Sequence, residues 1–430
     1  MDRYLLECLA CGRTQPDDGI MVHCAHSHQP SLLRTKYRES QFKVDEHARS
    51  LMRYASWLPL REHLHASGQT AVFFEQRLND ALGMTNLWVA LNGHHPRRNA
   101  LLRTATFKDI EASAILGRFP RDGRILVAAS AGNTAIALVH ACDEHRVPAV
   151  IVAPEDALSG LRFDTKLSSR IKFVSIFGEA TYDDAIVFAR SVGRSEPFVF
   201  EGGAANVARR DGIGTTMLAA VEALGRLPDY YVQAIGSGAG AIGAHEAAGR
   251  LILDGRYGSR FPRLVLVQNS PSAPVFEAWA ARKSSLFDGG DDDSARTKSL
   301  AIAARVLGTQ HPPYAIAGGL YSILCESDGN VVVVDNDEVY AARRLYERIE
   351  AIDIELAGAA ALAGLQQAVR AGQIAADALV VLHITGAGRA AQKERFTHAV
   401  ERALRIDRRA LGDEAHLRSQ LLHEFGEVLQ

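Results

Sequence analysis

Lys108 is one of only eight lysines in a chain that carries forty arginines. A primary amine can condense with a carbonyl group, whereas a guanidinium keeps its charge and cannot. Lys108 lies in the run Thr104-Ala-Thr-Phe-Lys-Asp109, where alone it reads more readily as a surface cation. Three further runs add chemistry. Ser130-Ala131-Gly132-Asn133-Thr134 joins an apolar run to a helical one. That junction turns backbone N–H groups and short polar side chains toward an anion. Gly236-Ser237-Gly238-Ala239-Gly240 occupies a second such junction. Its glycines let the backbone approach a phosphate, and successive N–H groups form a nest for it. Thr385-Gly-Ala-Gly-Arg389 directly follows an apolar run, placing a hydroxyl at the carboxyl end of a strand, where α/β sheets bind ligands. Taken singly, each run is also compatible with an ordinary β–α turn.

Gly238, Gly240 and Gly243 also satisfy G-x-G-x-x-G, so a dinucleotide-dependent oxidoreductase competes. That reading needs an acidic residue at the end of the next strand. The next apolar run ends instead in Gln268-Asn269. Near the N-terminus, Cys8-x-x-Cys11 is followed by Cys24, His26 and His28. This is zinc-ribbon spacing, with Cys8, Cys11, Cys24 and His26 as the expected ligands of a structural site. A ribbon without metal, or plain reduced thiols, is the alternative. Cys142 and Cys325 read as core residues.

The elements that must position these loops are legible as alternating patterns. Apolar runs rich in Val and Ile predict strands over 124–129, 149–153, 171–176, 197–200, 230–235, 263–268, 331–335 and 379–384. Helical stretches fall over 133–145, 183–192, 242–253, 337–350 and 390–404. Strand–helix alternation predicts an α/β protein with parallel sheets covered by helices. The first 45 residues hold three of the five cysteines and few periodic segments, and read as a small separate lobe.

Composition excludes several classes. At 430 residues the chain is long enough for about two or three domains. An apolar fraction of 47% with 23% charged residues permits large cores and argues against global disorder. A net charge of -2 argues against a general nucleic-acid-binding field, and against a zinc module fused to an inactive domain. No apolar run is long enough to cross a bilayer and no signal peptide is visible, so a cytoplasmic location is expected. The only low-complexity segment is the acidic run 288–294.

In this order, the four loops resemble the fold-type II pyridoxal-phosphate enzymes, the tryptophan-synthase-β and threonine-synthase superfamily, across 85–395. The resemblance implies two α/β units with the cofactor between them. It assigns residues 46–115 with 205–430 to a large cofactor-binding domain and 116–204 to a smaller one carrying the asparagine loop, with 1–45 as the cysteine lobe. It implies that Lys108 bonds pyridoxal 5'-phosphate and that Asn133 meets the cofactor's phenolic oxygen. Gly236, Ser237, Gly238, Ala239 and Gly240 would cradle the phosphate, and Thr385 would meet the pyridine nitrogen. Ser130, Ala131, Gly132 and Thr134 would hold the substrate carboxylate. Ala239 stands where many members have glycine, which is tolerable if its φ is negative.

The runs Ser31–Tyr37, Tyr54–Pro59, Leu91–Pro96 and Gln268–Pro274 look like the cysteate synthase branch of that superfamily. Glu111 and Ala112 also follow the lysine where threonine synthases favour Arg-Gly. The branch implies β-replacement, O-phospho-L-serine and sulfite giving L-cysteate and phosphate through an enzyme-bound aminoacrylate. Threonine synthesis from O-phosphohomoserine, or a related β-replacement with another nucleophile, is the alternative. The partners expected are a phosphorylated amino acid, an anionic nucleophile and a second copy of the chain. Two anionic reactants call for a basic subsite. Arg97, Arg98 and Arg103 are candidates, with His94 and His95 beside them.

Overall fold

The computed structural model describes residues 3–26, 28–66, 68–287, 292–401 and 403–425. Residues 288–291 of the acidic run lie outside them, and its remaining residues open the helix Asp292–Ala301. All eight expected strands form. A six-stranded sheet runs in the order Asn330–Val334, Arg263–Asn269, Tyr230–Ala234, Val380–Ile384, Leu87–Leu91, Ala71–Phe74, parallel except for the last. Val380–Ile384 is buried throughout, so it reads as a continuous apolar run rather than an alternation. A second, wholly parallel sheet has the order Phe198–Phe200, Ile125–Ala129, Ala149–Pro154, Ile171–Phe177, Leu404–Asp407.

Small residues set how tightly the helices pack. A Cβ on Gly243 would lie 2.2 Å from the Arg210 carbonyl oxygen. Helices Val207–Leu224 and Ala239–Asp254 therefore touch backbone to backbone there, and packing accounts for the third glycine of G-x-G-x-x-G.

The expected helix over 390–404 does not form. Residues Ala390–Gln392 make a 3-10 turn, His398–Ala399 pairs with Arg162–Phe163, and Leu404–Asp407 adds a strand to the second sheet. The open edge of that sheet overrides local helical preference. The chain thus returns to the second sheet, and helix Glu414–Glu424 follows. Phe425, just past it, packs against Phe198.

The first 45 residues form a three-stranded antiparallel sheet, with Tyr4–Cys8 between Thr14–Gln15 and Leu33–Tyr37. The Thr35 and Tyr37 hydroxyls donate to the Asp211 carboxylate at 2.6 and 2.7 Å. Among the described residues no helix is long and apolar enough to cross a membrane.

Candidate active site

Lys108 opens the helix Lys108–Arg118. The loop before it is held by Asp109, whose buried carboxylate accepts from the Thr104 N–H at 2.8 Å. Burial pushes the Asp109 carboxyl up to about 7. Ala105 adopts φ 57°, a left-handed conformation that costs a residue with a Cβ about 1–2 kcal/mol. That strained residue accepts from Ala387 N–H at 3.1 Å, while Phe107 N–H donates to the Thr385 carbonyl at 3.0 Å. Thr106 forms a bridge with Gly386. The lysine and threonine loops are therefore stitched together by backbone, with Thr385 itself buried.

Strands Tyr230–Ala234 and Val380–Ile384 are parallel neighbours, so the glycine loop and Thr385 leave the same edge of the sheet. Gly238 has φ 74°, and a Cβ there would lie 2.6 Å from the Leu320 side chain. A Cβ on Gly236 would lie 3.0 Å from the Val306 carbonyl oxygen. The loop is thus a cradle that side chains would fill. Ala239 begins the helix Ala239–Asp254 and is not among the positive-φ residues, so its methyl sits where any residue can. The free N–H groups of that helix's first turn complete an anion site.

Asn133 begins the helix Asn133–Glu144, preceded by Gly132. Ser130 is buried, and its hydroxyl oxygen accepts from Ala135 N–H at 3.2 Å. The Asn133 amide oxygen accepts from Arg389 Nη1 at 2.6 Å, and Arg389 also reaches Glu355 at 3.2 Å. Arg389 thereby ties the asparagine loop to the threonine loop.

Around Lys108 the structure assembles charges from distant segments. Lys108 Nζ donates to Glu111 Oε2 at 2.8 Å. Arg209 forms an ion pair with Glu111 and another with Glu201 at 2.6 Å. Burial lowers the Lys108 amine below its ordinary value, Glu111 opposes that, and Arg209 adds to the lowering. A buried amine shifted this way is suited to condensation and to proton transfer. Tyr182 closes the rim, donating to the Ala129 carbonyl at 3.0 Å. Beneath the site, His383 lies between the Tyr231 hydroxyl and the Asn92 amide, both at 2.8 Å, and burial pushes it down to about 3.

Sequence reading missed Arg209, Glu201, Tyr182 and the His383 network. Three consecutive charges, Arg209-Arg210-Asp211, in a helix whose one other charge is Glu222 were the available signal. The expected basic subsite is dispersed. Arg103 pairs with Asp164 at 2.7 Å and Glu144 at 3.5 Å, and lines a small cavity with Asp109 and His140. Arg98 pairs with Glu75 and Glu350, and His95 with Glu350 at 3.2 Å. Arg97 is exposed, and half-buried His94 donates its N–H to the Ala387 carbonyl at 2.8 Å.

In the lobe, Cys8, Cys11 and Cys24 converge with His28, all ligand atoms lying within 4.8 Å of one another. The fourth donor is His28 rather than His26, whose ring lies 3.1 Å from Arg13. The Cys11–Cys24 sulfur separation of 3.9 Å fits the ~3.8 Å expected across a tetrahedral ion with 2.3 Å Zn–S bonds. Three cysteines and one histidine are a donor set for structural zinc.

A lysine whose loop is stitched to Thr385, at the same end of the sheet as a glycine cradle for phosphate, fits a phosphorylated aldehyde cofactor. The family described as "Pyridoxal-phosphate dependent enzyme" matches residues 64–386, and the chain belongs to it, with the fold-type II architecture. Within that family the chain is 36% identical to a cysteate synthase of Methanosarcina mazei over 92% of this chain and 95% of the relative. It is 39% identical to one of Methanoculleus marisnigri, over 94% and 93%. Among solved structures the fold is similar to maize serine racemase, with TM-score 0.55 and 16% identity, covering 74% of this chain and 89% of that one. It is equally similar to a threonine deaminase of Solanum lycopersicum, with TM-score 0.55 and 16% identity over 92% and 98%.

Proposed function

We propose that this enzyme replaces the phosphate of O-phospho-L-serine with sulfite, giving L-cysteate and phosphate. The observation that supports this most is the near-full-length likeness to cysteate synthases at 36% and 39% identity. When bound, pyridoxal phosphate supplies the electron sink that acidifies the substrate Cα–H.

The chain's own residues then divide the work. The glycine loop 236–240 and the helix behind it would hold the cofactor phosphate. Asn133 and Thr385 would hold the ring at its phenolic oxygen and its nitrogen. A hydroxyl at that nitrogen can share a hydrogen bond but leaves no fixed charge there. That favours prompt expulsion of a Cβ substituent over a long-lived carbanion. The Ser130–Thr134 turn takes the substrate carboxylate at a helix N-terminus. Lys108 would take the Cα proton at its Nζ. The C–O bond to phosphate breaks, sulfite forms the C–S bond at Cβ, and Lys108 returns a proton to Cα. Neither oxidant nor reductant is needed. We also propose that the enzyme is a cytoplasmic homodimer.

The test is the visible spectrum of the cofactor-loaded enzyme during addition of O-phosphoserine and then sulfite, with phosphate and cysteate assayed in parallel. A change on phosphoserine that sulfite reverses, with equimolar products, is the expected outcome. A spectrum indifferent to phosphoserine but responsive to O-phosphohomoserine, with threonine formed, would transfer the assignment to threonine synthesis.

A further inference from the structure

Glu111 is the carboxylate nearest the reactive amine, and its surroundings distinguish it from an ordinary helix-terminal acid. An acid in the first turns of a helix is favourable on electrostatic grounds alone, but such residues lie in solvent. Glu111 is 1% exposed and touches two cations from different segments, Lys108 on its own helix and Arg209 on the helix Val207–Leu224. Glu201, 6% exposed, takes the other side of Arg209. The group thus holds two carboxylates against one permanent cation. It is electrically neutral only while Lys108 carries a proton. In a buried setting an unbalanced charge is costly, so the surplus carboxylate pulls a proton onto the amine. The remaining groups facing the cluster do not cancel this. Among the described residues Tyr182 also faces the cluster, and burial raises its hydroxyl so that it stays neutral; Asp109, next to Lys108 in the chain, is engaged instead with the preceding loop, where its carboxylate accepts from the Thr104 N–H.

We infer that Glu111, backed by Arg209 and Glu201, is a positioning residue that holds the Cα-derived proton on Lys108 between its removal and its return. This rests on the reading that Lys108 bonds the cofactor. In the step itself the Cα–H bond breaks, its electron pair enters the cofactor's sink, and an N–H bond forms at Lys108. Glu111 accepts a hydrogen bond from the resulting ammonium and gains no proton. A neutral side chain of the same shape would release that proton to solvent sooner.

The experiment uses the full chain with cofactor removed, and follows reductive methylation of Lys108 against pH by peptide mass spectrometry. Glu111→Gln is expected to lower the pH midpoint of Lys108 reactivity by about one unit, a tenfold more reactive amine at a fixed pH below it. In the loaded variant, the acidic limb of the kcat profile is expected to move to lower pH by a similar amount. An unchanged midpoint in a folded Glu111→Gln protein would overturn the inference. Should that variant not fold, Glu201→Gln tests the same point, because Arg209 then leans wholly on Glu111; a smaller downward shift is expected, and no shift overturns the proposal. Borohydride trapping of the cofactor on a lysine other than Lys108 would instead sink the site reading while leaving the methylation result intact.

Discussion

The two ends of helix Lys108–Arg118 are both buried among charges, and they are finished differently. At the C-terminal end, Arg118 donates from Nε and Nη2 to the two oxygens of Asp17 at 2.9 and 2.6 Å, from Nη1 to Asn206 at 3.0 Å, and to the Met21 carbonyl at 2.6 Å. Asp17 also accepts from the Tyr4 hydroxyl and from Gly19 N–H. Every nitrogen of the guanidinium is directed at a fixed acceptor, the pattern of a bond that holds structure. At the N-terminal end, Glu201 Oε2 and Arg209 Nε are buried without a hydrogen-bond partner among the described residues. Lys108 remains 20% exposed. A cluster left incomplete in this way retains freedom to change its charge. The contrast separates a clamp from a working site within eleven residues of one helix.

The largest effect is expected at the working end. Lys108→Ala should abolish covalent cofactor attachment and lower turnover by about 10²–10⁴-fold, the range for a positioned general base. Its melting temperature should stay close to the parent's. Absorbance, turnover and melting curves check this together. A variant that still turned over at the parent rate would dissolve the contrast.

At the clamp the expected effect is on stability rather than chemistry. Asp17→Ala strands a buried guanidinium, which costs about 3–5 kcal/mol. Calorimetry should register it as a large fall in melting temperature. Burial raises the Asp17 carboxyl, but Arg118 outweighs that and the net shift is downward. A carboxyl lowered on folding stabilises the native state above its unfolded pKa of about 3.9, and that contribution is lost as pH falls below it. Melting temperature should therefore drop from pH 5 toward pH 3 in the parent. Asp17→Asn should show a shallower decline over the same window.

The lobe connects the two ends. Asp17 grips the lysine helix, while Thr35 and Tyr37 grip Asp211, two residues from Arg209. Metal bound by Cys8, Cys11, Cys24 and His28 would stiffen both grips. Elemental analysis should find about one zinc per chain. Chelation, or Cys11→Ser, should lower the melting temperature by several degrees and weaken cofactor retention secondarily. Loss of cofactor with no change in melting would contradict a purely structural role.

Which parts were legible in the sequence follows from the same contrast. The four loops could be read because backbone conformation and anion contact demand particular residue types at strand ends. Gly238 at φ 74° is one such position. The strands were legible because burial on both faces leaves continuous apolar runs. Arg209 and Glu201 were not legible as site residues. Their role arises from a tertiary meeting with Glu111, some ninety to one hundred positions away in sequence. The helix expected over 390–404 failed for a related reason. Its local composition favours helix, but pairing with Arg162–Phe163 and Ile171–Phe177 decides otherwise. His28 replaced His26 as the fourth donor because ligand spacing fixes a set of candidates, while chain direction after Cys24 selects among them.

The smallest effect is expected at Arg389, which belongs to neither end. Its guanidinium is 46% exposed and spans Asn133 and Glu355 across the cleft. A half-exposed pair of this kind contributes about 0–1 kcal/mol, because solvent screens it and ordering two side chains opposes it. Arg389→Gln should therefore leave the melting temperature within a degree or two of the parent's. Its consequence should fall on the cleft instead. The Asn133 amide would lose the donor that engages it, and cofactor affinity should change by less than about tenfold, a ceiling of 1.4 kcal/mol. Equilibrium dialysis with pyridoxal phosphate at low and high salt would measure this. A salt-dependent affinity in the parent that vanishes in Arg389→Gln would place Arg389 with the working end. A large fall in melting temperature would place it with the clamp.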